Sequence, residues 1–123
     1  MPTDPQPVTL AQVVHRAVTA VDPEGNAGLE DLLARFEDDD EPIGPDTAPV
    51  AAQTIAEEAG ALDPQAEDPA VQLAAAVATY LAFRRDEVDE EPRELLALAA
   101  RAEYDGHPPA EVDALLADLG VQL

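Results

Sequence analysis

Two histidines and 27 aspartates and glutamates supply most of the side chains in this 123-residue sequence that could move a proton or hold a metal. Serine, cysteine and lysine are absent throughout. Serine and cysteine nucleophiles, Schiff-base lysines and the phosphate-loop lysine are thereby excluded, and no GxGxxG or GxxxxGK[ST] pattern occurs. His15 falls on the polar flank of a helical pattern beside Gln12 and Thr19, where a solvated side chain is expected. His107, between Gly106 and Pro108, suits a turn or a helix cap. Glu103 precedes it by four residues, but the glycine and proline prevent the two from sharing one helical face. No Glu-x-x-His and no HExxH occurs, so the di-iron and zinc-helix patterns both fail. The expectation is a protein with no catalytic residues, metal site or cofactor.

Calcium fares no better. Asp22-Pro23-Glu24-Gly25-Asn26 begins like an EF-hand loop, yet its sixth position is Ala27 and its twelfth Leu33, where glycine and a bidentate glutamate are required. The run Glu37, Asp38, Asp39, Asp40, Glu41 is the candidate for loose cation contact, and a solvated charge run is its ordinary reading. Among the cations, Arg84, Arg85 and Arg93 flank a short acidic turn and Arg101 follows two turns on; these four are the candidate partner contact, able to grip a phosphate or carboxylate. Pairing with Asp86, Glu87, Asp89 and Glu94 is the plainer account.

Six arginines against those acids leave a formal charge of −21. Such a surface repels phosphate and anionic lipid, which disfavours nucleic-acid and membrane partners. The acidic, lysine-free composition resembles that of proteins adapted to molar salt, whose nucleic-acid binders are acidic as well. A GC-rich coding bias is the alternative source. The opening MPTDPQP has neither the basic stretch nor the apolar run of a signal peptide. Ala70 to Phe83, the longest nearly uncharged stretch, is shorter than the ~20 residues a spanning helix needs. A cytoplasmic location follows as an expectation.

Apolar residues recur with a period of 3.6. Residues 1–8, with three prolines, read as a flexible tail, and 9–123 as a single helical domain. Thr9 caps a first helix whose stripe is Leu10, Val13, Val14, Ala17, Val18 and Val21. Leu29, Leu32, Leu33 and Phe36 mark a second, with Asp31 four residues before Arg35 as an exposed pair. Residues 37–48 form an acidic, proline-rich loop. A third helix is expected from about Pro49 to Ala59, stopped by Gly60. Asp63-Pro64 and Asp68-Pro69 each set a capping acid before a proline, the second opening a fourth helix. That helix carries Leu73, Val77, Tyr80, Leu81 and Phe83 with alanines filling the rest, so it belongs at the centre. A fifth turns Leu95, Leu98, Ala99 and Ala102 inward; a sixth turns Val112, Leu115, Leu116 and Leu119 inward and stops at Gly120. The fold expected is all-α, a compact orthogonal bundle of five to six short helices around an alanine-rich one.

These features favour a non-enzymatic protein working through protein–protein contacts, as adaptor, regulator or inhibitor of a basic partner. The alternatives are an acidic nucleic-acid mimic, or an enzyme relying on carboxylates, histidine or a recruited metal. A deep pocket gathering His15 or His107 with two or more acids would favour the last. Oligomeric state is not readable from the pattern.

Overall fold

The computed structural model describes residues 9–23, 25, 28–37, 42–44, 46–65, 67–84 and 92–121. They form six helices and no strand: α1 (Leu10–Val21), α2 (Glu30–Phe36), α3 (Ala48–Leu62), α4 (Pro69–Arg84), α5 (Pro92–Tyr104) and α6 (Ala110–Asp118).

The helix ends follow local chemistry. Thr9 and Gln12 form a capping box, Thr9 Oγ1 accepting from the Gln12 amide while Gln12 Oε1 accepts from the Thr9 amide. α3 runs three residues beyond the expected stop, because Gly60 sits inside it with ordinary helical backbone. Asp63-Pro64 ends α3 instead. The Asp63 carboxylate caps no helix; it accepts from the amides of Glu67 and Asp68, both at 2.9 Å, and so ties the connection to α4. Asp68 Oδ1 then accepts from Ala70 and Val71 at the head of α4. Removing that cap by Asp68→Ala should cost about 0.5–2 kcal/mol in chemical denaturation, whereas Asp68→Asn should cost far less. α5 gives way at Asp105 and Gly106, which both take positive φ. α6 closes with left-handed Gly120: the Gly120 amide donates to Ala117 and the Val121 amide to Leu116, satisfying the last carbonyls.

α4 lies at the centre, packed against α1, α3, α5 and α6. Nine of its sixteen residues are buried, five of them alanines, whose small side chains allow several helices to approach it together. The N-terminal helices close around it through α1–α2 and α2–α3 contacts. Among the described residues no polar or charged side chain is buried.

Three details depart from the expected pattern. α5 buries Leu95, Leu96, Ala99 and Ala100, leaving Leu98 half-buried and Ala102 exposed. α5 packs on α1 as well as on α4, so its buried face is broader than the one turned to α4 alone. Within the 37–48 loop Ile43 is buried, and Thr9 pairs with Pro42 in an isolated antiparallel bridge, so this end of the loop is fastened to the body. Phe83 is not covered: at the end of α4 it stands 51% exposed.

Candidate functional site

An open groove of about 520 Å³ lies between α1 and α2. α1 contributes Ala11, Gln12 and His15, which share one face of that helix. α2 contributes Glu30, Leu33, Ala34 and Glu37. Leu29, Leu32 and Phe36 are buried in the core, which leaves the 30, 33, 34, 37 face turned to the groove. Ala11, Leu33 and Ala34 make the apolar part; Gln12, His15, Glu30 and Glu37 are exposed. Gln12 is held by its capping bond to Thr9, whereas the two glutamates add negative charge to an apolar surface.

His15 also borders a second groove, formed with Arg16, Thr19 and Ala20 of α1 and Pro92 and Leu95 of α5. His107 borders neither of these grooves and sits in a turn, as its glycine and proline neighbours suggested: its amide donates to the Tyr104 carbonyl at 2.8 Å after α5, and the residue is exposed. Among the described residues no three histidine or carboxylate side chains come together in a way that could hold a metal ion. Of the acidic run, Glu37 caps the C-terminus of α2; Asp38, Asp39, Asp40 and Glu41 lie outside the described residues.

The arginines occupy different settings. Arg84 lies over the ring of Tyr80, 5.4 Å from its centroid, beside exposed Phe83. Arg93 rests against Gly120, where its guanidinium faces the negative end of α6. Arg101 is exposed on α5, and Arg85 lies outside the described residues. Arg35 reaches not to Asp31 but across to α3, where Nη1 meets Glu58 Oε2 at 2.7 Å. Both side chains of that pair are substantially exposed, so a double-mutant cycle on Arg35 and Glu58 should return no more than about 1 kcal/mol, shrinking as salt rises.

A smaller groove between α4 and α5 is bordered by Tyr80, Phe83, Arg84, Ala99, Ala102 and Glu103. The sequence marked Tyr80 and Phe83 as core; an aromatic pair at the last turn of a central helix, next to an arginine, was the signal that this end is open. Half-burial pushes the Tyr104 phenol above its ordinary value, with the neighbouring Glu103 carboxylate adding to the effect. The neutral phenol is the form that folding favours, so its contribution is complete below the unfolded pKa of about 10 and is lost as pH rises through the higher folded value. Subtracting a Tyr104→Phe titration at 295 nm from that of the parent should reveal this late phenolate. Comparison with family models, curated proteins and solved structures found no match.

Proposed function

We propose that this protein works by binding a positively charged protein partner, as adaptor, regulator or inhibitor, and not by catalysis. The carrying observation is the α1–α2 groove, where Leu33 and Ala34 lie between two exposed glutamates. Apolar contact area supplies affinity, while rim charge steers the encounter and selects the sign of the partner. The chain's overall charge favours the same sign. Serine, cysteine and lysine are missing from the sequence, which removes the commonest covalent chemistry. A nucleic-acid mimic would need carboxylates spaced like phosphates along one face, and the acids here are carried on α2, α3, α5 and α6 alike. The test is capture from native lysate at native salt. A basic protein should be retained by the parent and by Phe83→Ala, and released by Leu33→Gln; retention unaffected by Leu33→Gln would overturn the reading.

One observation favours a second reading. The open groove is bordered by His15, Glu30 and Glu37, all exposed, which are residue types that an acid–base enzyme without a covalent nucleophile would use. Under it, His15→Gln would abolish a turnover found by screening metabolites while leaving partner capture intact.

A further inference from the structure

The spacing on α2 specifies more than the sign of a partner. Resting on the binding role proposed above, we infer that the α1–α2 groove receives an amphipathic helix carrying two arginines or lysines seven residues apart, with an apolar residue between them. Glu30, the first residue of α2, and Glu37, its C-cap, both border the groove seven residues apart, an interval that in an ideal helix spans about 10.5 Å and turns by about 20°. Leu33 and Ala34 fall between them on that face. A partner helix repeats the same interval: basic side chains at positions i and i+7 meet the two glutamates, and an apolar side chain at i+3 or i+4 enters over Leu33 and Ala34. Ala11 on the opposite wall is small enough for the incoming backbone to approach, and Gln12 is already committed to its capping bond.

A second copy of this chain is a poor occupant. It brings another charge of −21 to an acidic rim. The helical arginines nearest to the required interval, Arg93 and Arg101, are eight residues apart, which turns them about 80° from each other.

The test uses the full chain and two synthetic helix-forming peptides of identical composition at a salt concentration where the protein is folded. One carries arginines at i and i+7 with leucines at i+3 and i+4; the other moves one arginine to the opposite face. The in-register peptide should bind about fivefold more tightly, the scale expected for two exposed ion pairs. Glu30→Gln with Glu37→Gln should remove that preference. Glu111→Gln with Asp118→Asn, which neutralises two exposed acids at the same interval on α6, should keep it. Equal affinity for both peptides, or an equal loss from both double variants, would mean non-specific attraction to an acidic surface and would overturn the inference. Tighter binding after deletion of residues 1–8 would also overturn it, by making the chain's own N-terminal segment the occupant. Capture of a basic protein that depends on Leu33, together with indifference to peptide register, would leave the binding role standing and remove only the helical mode.

Discussion

The melting temperature should climb steeply as potassium chloride rises from 0.1 to 2 M, with most of the rise persisting in the presence of a chelator. Folding gathers a charge of −21 onto a compact surface, and the unfolded chain can spread the same charge apart. Screening shortens from about 10 Å at 0.1 M to about 3 Å at 1 M, which removes most of that repulsion. Salt has little to undo in return. Among the described residues no charged side chain is buried, and the Arg35–Glu58 pair that joins α2 to α3 is largely solvated. Relief of repulsion by about 3 kcal/mol would raise the melting temperature by on the order of 10 °C for a domain of this size. A flat or falling profile would mean that the acids are compensated by something bound, and a chelator-sensitive rise would assign the effect to a specific cation.

Phe36→Ala should cost about 3–5 kcal/mol, a third or more of the stability of a typical small domain. Phe36 is 1% exposed at the end of α2 and belongs to the cluster that joins α1 and α3 to the central helix. Removing its ring from the core leaves a cavity that the close-packed surroundings can collapse only partly. Phe83→Ala, chemically the same change, should stay within about 1 kcal/mol, since half of that ring already faces solvent. Chemical denaturation of both variants at one salt concentration makes the comparison. Similar losses would contradict the exposure of Phe83 at the end of α4.

What the sequence conveyed best was periodicity. The α1 stripe and the Thr9 cap were legible because both are local: one is a 3.6-residue repeat, the other a side chain and an amide three positions apart. α4 could be placed at the centre for a related reason, since a helix apolar on most sides has no face to give to water. The errors all concern information held by a neighbouring element. Gly60 can stop a helix or continue one, and here α3 continues to Asp63-Pro64, whose carboxylate has its own amides to accept. The buried face of α5 depends on α1 as well as α4, which no wheel drawn on α5 alone contains. Ile43, a lone apolar residue among prolines and acids, shows no period, so its insertion into the core was hidden. The candidate site was the least legible part. Glu30 and Glu37 are two acids among many until α1 supplies the opposite wall of a groove.

The position of α4 in the chain also constrains how the protein is made. α1 and α3 bury much of their apolar surface against a helix that follows both of them, and α4 does not end until Arg84. During synthesis at about 5–20 residues per second, the N-terminal half therefore leaves the ribosome several seconds before its main packing surface exists. For that interval Leu10, Val13, Val14 and Ile55 belong to helices with no core to join, the condition in which nascent chains meet one another and aggregate. Two unfinished chains that each carry many acids and few bases repel one another. The same charge that is expected to weaken the finished fold in dilute salt therefore opposes, earlier, contact between chains whose central helix is incomplete.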